Sequence, residues 1–323
     1  DPIVNAFIPQ SGTAISFTNP PPMNNSAAFY NASIALGCGG SGVGPMAALS
    51  CVRTKSTAEL LNVTRVTDPL AAVLGNFGPT SDNHVVFSDY EARAEAGQFI
   101  RKPYFTGSDD YEAGLFTILA AAGGLSVTGL EWQVMNLASF TCPTGDAAAA
   151  RARYGVPTYR YRYFGEFPNL RLTINPPSGA WHGAEIPVIW QTTEDASGQS
   201  DTSAEDSISR YLSRVWAAFA KNPSTALSRA PYNFPQYSNT SQFNRSVLCE
   251  LADRRTANSL IQFGCNNKTQ PRLTKPASFD SLCPVIQDAV ARIPGGIAGA
   301  LGSGSLAEIP GINKLKLGPG KCK

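Results

Sequence analysis

The sequence predicts an α/β protein with a mostly parallel sheet flanked by helices. Strand-like runs alternate with segments of helical periodicity, and no internal repeat or linker divides the chain cleanly. Hydrophobic residues make up 43% of the 323 positions and charged residues only 15%, enough to bury a sizeable core. Alternation matters because a parallel strand is reached only by a crossover, which is usually a helix.

The first element is a short apolar strand over Asn5 to Gln10, expected to be buried and to end at Ser11-Gly12. A Pro- and Asn-rich loop, Asn19 to Asn25, follows and reads as exposed. Cys38 and Cys51 bracket a Gly-rich loop, and this local spacing predicts a disulfide in an oxidising compartment.

Arg101 to Gly107 reads as the next strand, ending in a polar turn, Ser108-Asp109-Asp110-Tyr111-Glu112, and then a helix over Ala113 to Ala122. The uncharged run Ala113 to Leu130 approaches membrane-span length, but its glycines favour a buried helix followed by a Gly-rich turn. No membrane span is therefore expected. Ala147 to Tyr154 predicts a helix stopped at Gly155. Thr158 to Phe164 sets Tyr159, Tyr161 and Tyr163 against Arg160 and Arg162, which is strand periodicity. The clearest helix starts at Ser203, with Ser203 and Asp206 as its capping box, and runs through Ile208, Leu212, Val215 and Phe219 to Asn222-Pro223.

The net charge of +2, with basic residues spread along the chain apart from the tail Lys314, Lys316, Lys321 and Lys323, offers no concentrated face for nucleic acid. Glycosylation sequons stand at Asn24, Asn31, Asn62, Asn239, Asn244 and Asn267, whereas Pro223 disqualifies Asn222. Six sequons with seven cysteines predict a secreted, extracellular protein. The chain opens on Asp1 without a charged-then-apolar leader, so a signal peptide is expected to lie upstream and to have been removed.

There are two histidines. His84 leads into the apolar run Val85-Val86-Phe87 and reads as a surface or strand-edge residue. His182 stands in Trp181-His182-Gly183-Ala184-Glu185, where Gly183 allows a turn straight after the ring. A turn that presents imidazole with a carboxylate nearby suits a general base, although a lone His beside Trp also serves as a structural residue.

Phe7-Ile8-Pro9-Gln10-Ser11-Gly12, Cys51-Val52-Arg53, Pro103 to Gly114, His182 to Pro187 and Trp216 to Ala220 together resemble successive blocks of the type-B carboxylesterase family. That family includes cholinesterases and extracellular fungal lipases. The resemblance implies an α/β-hydrolase fold, with residues 1–323 as the C-terminal portion of a single domain. It also implies a Ser-His-Glu triad that needs no metal or organic cofactor. Gly107 to Glu112 reproduces the family spacing from a strand-ending Gly to the catalytic acid, so Glu112 takes the acid role and His182 the base role. The family places Gly directly after that Glu, whereas here Ala113 intervenes before Gly114; Asp109 and Asp110 are the fallback acids, and otherwise turn residues bonding their own backbone. Glu185 resembles a buried carboxylate behind the base, and Ser11 a hydroxyl supporting it; either could equally be structural.

The nucleophile elbow Gly-x-Ser-x-Gly has no match: Gly39-Gly40-Ser41-Gly42-Val43 lacks the last Gly, and Gly302-Ser303-Gly304-Ser305-Leu306 has Gly where Ser must stand. The expectation is that the elbow and oxyanion hole come from the N-terminal chain of the same precursor, cut before Asp1. The alternative expectation is a catalytically inactive binding or adhesion protein on the same fold. If Cys38 pairs with Cys51, then Cys142, Cys249, Cys265, Cys283 and Cys322 remain, of which one is free or bonded to another chain. The implied substrate is a small ester or a lipid.

Overall fold

The computed structural model describes residues 3–14, 26–65, 80–237 and 259–293, together with 297, 301, 306, 309, 312 and 319–322. The loop at 19–25, the sequons at Asn24, Asn239 and Asn244, the Gly-Ser stretch at 302–305 and most of the basic tail lie outside the described residues. The chain divides into two compact units, one of Asp1–Thr18, Tyr90–Ile118 and Val127–Lys323, the other of Asn19–Asp89 and Leu119–Ser126.

The larger unit is built on a four-stranded sheet in the order β1 (Tyr104–Asp109), β2 (Thr158–Tyr163), β3 (Leu260–Phe263), β4 (Arg272–Thr274). The β1–β2 and β2–β3 pairs are parallel and β3–β4 is antiparallel. The helices that carry the chain between the parallel strands include α1 (Ala113–Ala122), α2 (Gly129–Asn136), α3 (Cys142–Arg153), α4 (Glu185–Trp190) and α5 (Ser203–Lys221). Another, α6 (Cys283–Ala291), follows the sheet.

The expected first strand is reduced to two parallel bridges, Phe7 to Tyr104 and Gln10 to Gly107. Pro9 lies between them and cannot donate, so a continuous ladder is not available to this segment. Residues 6–10 are half-buried rather than buried, and Asn5 is exposed. The second strand begins three residues later than predicted and continues through Ser108 and Asp109, both buried, where a polar turn was expected.

Strand β2 explains the alternation of Tyr and Arg. All six of its residues are buried, so the alternation separates two interior faces rather than core from solvent. Tyr159, Tyr161 and Tyr163 pack into an apolar cluster with Phe105, Phe263 and the α5 residues Ile208, Leu212, Val215, Trp216 and Phe219. On the other face Arg160 makes a bidentate ion pair with Asp280 and donates to the Thr141 carbonyl, while Arg162 pairs with Asp110 at 2.7 Å. Both guanidiniums are buried, and charge in that position is tolerable only because it is matched.

Helix α5 starts as predicted but is capped one residue earlier. Thr202 is the N-cap, accepting from the Glu205 amide while the Glu205 carboxylate reaches back to the Thr202 amide. The box needs a side chain long enough to return to the cap, which Glu205 provides, while Asp206 pairs instead with Arg210 one turn on. The helix ends at Lys221, because Pro223 disfavours the helical conformation at Asn222. Helix α1 is not the buried helix expected: Ala113 is fully buried, but burial falls along it until Leu119 is 44% exposed. Among the described residues, no helix is long and apolar enough to cross a membrane.

In the smaller unit the helices Ser26–Ala35, Pro45–Val52 and Thr57–Val63 carry the predicted disulfide, Cys38–Cys51. Two more disulfides, Cys142–Cys283 and Cys265–Cys322, belong to the larger unit. Six of the seven cysteines are thereby paired, and the remaining one, Cys249, lies outside the described residues.

Replacing Asp280 with Ala strands the Arg160 guanidinium in a dry interior, and the expected loss is about 3–5 kcal/mol of unfolding free energy in a urea titration. The double replacement Arg160→Met with Asp280→Leu should recover most of it, because no unpaired charge is then left inside.

Candidate active site

The site is assembled at the C-terminal end of β1, where open α/β sheets keep their chemistry. Glu112 lies in the turn between β1 and α1 and is fully buried. One of its oxygens, Oε1, accepts from the Asp109 amide at 2.7 Å, which closes the turn; the other, Oε2, meets His182 Nδ1 at 2.6 Å. The ring of His182 is clasped by Phe116 and Phe140, with centroids 5.3 and 5.1 Å away. Its side chain is 34% exposed, so the accessible part of the imidazole is the side away from the buried carboxylate.

Two features set the position of the ring. Gly183 follows it at φ +91°, a conformation other residues rarely adopt, and its amide donates to Asp109 Oδ2 at 2.9 Å. Trp181 precedes it and its indole donates to the Leu170 carbonyl at 2.8 Å. The departure at Ala113 also has a local reason. Ala113 fits with no exposure, whereas a Cβ at position 114 would lie 2.0 Å from the Ser178 carbonyl, so the glycine is required one residue further on.

Glu185, the first residue of α4, is 1% exposed and accepts from Gln10 Nε2 at 3.0 Å. Gln10 in turn accepts from the Trp216 indole at 3.3 Å. Ser11 sits at φ +50°, buried, with its hydroxyl beside the Glu112 carboxyl. Asp109 and Asp110 do not bond their own backbone as expected of turn residues. Asp109 holds the Gly183 amide and Asp110 is taken by Arg162, because each is buried and must be matched. Of the three acids considered from the sequence, it is Glu112 that bonds the imidazole.

Burial pushes the Glu112 carboxyl above its ordinary range, partly offset by the His182 hydrogen bond and charge. For His182 burial works the other way, but the Glu112 hydrogen bond and the charges of Glu112 and Glu185 outweigh it and raise the imidazole above 6.5. The ring therefore loses its proton at higher pH than an unperturbed histidine. Among the described residues, no group of His, Cys, Asp and Glu could hold a metal ion.

Sequence reasoning passed over Phe116, Phe140 and the role of Gln10. Gln10 stood inside a quoted block, so a signal was present; Phe140 sits in a π-helical turn, Leu137–Thr141, for which the sequence carries no local mark. His84 is exposed in the smaller unit, its amide bonded to Asp82.

A mostly parallel sheet flanked by helices, with an imidazole–carboxylate pair at the end of a strand, defines the α/β-hydrolase class of fold. Residues 127–260 match the model of the carboxylesterase family, and the mostly parallel sheet with its flanking helices agrees with the α/β-hydrolase fold of that family. It is 29% identical over 284 residues to a chlorogenic acid esterase of Aspergillus niger, covering 88% of this chain and 52% of that protein. It is also 29% identical over 270 residues to secreted lipase 5 of Gibberella zeae, covering 78% of this chain and 48% of that one. The chain thus spans about half the length of the curated relatives it matches.

The imidazole of His182, followed by NMR, should titrate with a midpoint above 6.5, and Glu112→Gln should lower that midpoint. Because the folded value is raised, the stability from this pair is complete below about pH 6.5 and is lost as pH rises through the folded midpoint.

Proposed function

We propose that this chain supplies the acid and base of a secreted serine carboxylic ester hydrolase, Glu112 and His182 acting with a serine contributed from outside these 323 residues. The 2.6 Å bond from His182 Nδ1 to a fully buried carboxylate carries the reading. It leaves the other ring nitrogen as the one available to a hydroxyl. In the proposed reaction, neutral His182 takes the serine proton as the serine attacks the ester carbonyl, then returns it to the leaving alkoxide. It next activates water to release the acyl group, while Glu112 fixes the tautomer and stabilises the imidazolium. The serine and oxyanion hole are assigned to an N-terminal chain of the same precursor, with residues 1–323 as the C-terminal portion of one hydrolase domain. A groove of about 410 Å³ beside Phe7, Pro9, Tyr104 and Arg151 is consistent with further chain packing along that edge of the sheet.

Secretion is supported by three disulfides, by a relative whose name states it, and by exposed sequon asparagines at Asn31 and Asn62. Asn267 is different: both atoms of its carboxamide are engaged by the Glu166 backbone. Ser11 and Glu185 are proposed to support the pair from behind, Ser11 at Glu112 and Glu185 through its charge on the imidazole. The substrate class is a small carboxylic ester or lipid ester, consistent with what the names of the relatives describe.

His182→Ala should lower ester turnover of the serine-containing assembly by about 10⁴, as for triad members that act as a unit. Retention of more than about a tenth of wild-type turnover overturns the assignment. A fluorophosphonate probe should label the assembly on the serine-bearing chain and leave this chain unlabelled; no labelling anywhere points to an inactive binding protein.

A further inference from the structure

Two buried carboxyl groups stand behind the histidine turn. Asp109 ends β1 and is fully buried; Glu185 begins α4 and is 1% exposed. One oxygen of each is satisfied, Asp109 Oδ2 by the Gly183 amide and Glu185 Oε1 by Gln10. The remaining oxygens, Asp109 Oδ1 and Glu185 Oε2, are both buried and lack a donor. The Asp109–Gly183 bond, two residues before Glu185, draws the two side chains to one buried site, where each charge acts on the other. Ionised carboxylates only accept, so a contact between the two is repulsive in a dry site unless one proton converts it to an O–H···O⁻ bond.

Among the described residues, the two buried guanidiniums of β2 are already matched. Arg160 is taken by Asp280 and Arg162 by Asp110. The groups that face the pair are Glu112 from the β1 turn, His182 from the loop before α4, Tyr161 and Tyr163 from β2, and Ser11 and Gln10 from the N-terminal segment. Three carboxyls therefore share one site with a single imidazole. Of the pair, Asp109 faces two other carboxyls, Glu185 and Glu112, and burial together with those charges pushes it well above the usual carboxylate range.

We propose that Asp109 is a positioning residue held as a neutral acid, donating its proton to Glu185 through Oδ1 while Oδ2 holds the Gly183 amide, so that the His182 turn is seated on a carboxyl–carboxylate pair of one negative charge. The proposal rests on the reading of His182 as the base only for what this seating contributes to catalysis; the proton itself is observable without substrate.

An infrared difference spectrum at pH 7 should show the carbonyl stretch of a buried protonated carboxyl in the wild type. The band should be absent from Asp109→Asn, whose amide donates permanently, and from Glu185→Gln, whose amide lets Asp109 ionise. It should persist in His182→Ala, which separates loss of this proposal from loss of the catalytic one. A wild type with no such band, or a band that survives in Glu185→Gln, overturns the shared proton. Stability gives an independent reading. A carboxyl with a raised folded pKa stabilises most at low pH and loses that contribution as pH rises through the folded value, so the melting temperature of Asp109→Asn relative to wild type should climb between pH 5 and pH 9. A pH-independent offset overturns it. In the serine-containing assembly Asp109→Ala should lower kcat by about 10² with KM little changed, the cost of a misplaced base; a raised KM with unchanged kcat removes the positioning role.

Discussion

The chain buries three carboxyl groups within four residues, Asp109, Asp110 and Glu112, at one end of a sheet, and the rest of the site follows from giving each its own partner. An unmatched buried charge costs more than most single contacts contribute, so none of the three can be idle. Asp110 is met by Arg162 across the sheet, Glu112 by His182, and Asp109 by the Gly183 amide. Two of these three partners lie in one loop, residues 182 and 183, so the acidic turn and the histidine turn are tied together twice. That double attachment places the imidazole more firmly than its single bond to Glu112 could.

Strand β2 carries the same logic into the core. Its tyrosines join the apolar layer under α5, and its arginines face a polar interior in which the Asp280 and Asp110 carboxylates neutralise them and the Thr141 and Asp110 carbonyls accept from them. The Thr141 carbonyl and hydroxyl both serve guanidiniums, so the turn that brings Phe140 against His182 is also held by β2. A change in the arginine face would be felt at the imidazole through Phe140, without any contact between them.

Much of this was legible in the sequence where local chemistry is strong. The period of Thr158 to Phe164, the periodic apolar positions of α5, the stop at Asn222-Pro223 and the Cys38–Cys51 spacing all carry their own physical reason within a few residues. The pairing of Glu112 with His182 was legible only through resemblance, because 70 residues separate them and nothing local marks the acid. What was missed depended on tertiary context. Asp109 and Asp110 look like turn residues until burial removes their water, and a run of Tyr and Arg looks half-exposed until a second layer covers the charged face. The capping box was misplaced by one residue because Ser203 and Thr202 are both good caps, and the length of the acid three residues on decides between them.

The division of labour across the family's length is consistent with the physics of the site. The chain aligns with about half the length of its curated relatives and holds an imidazole–carboxylate pair on its own sheet and loops. Holding an acid and a base together needs the β1 turn and the loop before α4, both present. A nucleophile elbow is a separate strand–turn–helix, and it has to approach only the exposed side of one imidazole. The pair is thus ordered within this chain, with Nδ1 turned to Glu112 and the ring flanked by Phe116 and Phe140. In the proposed enzyme, preorganisation of this kind means that docking the serine need not reorder the base, which is what a fast proton transfer requires.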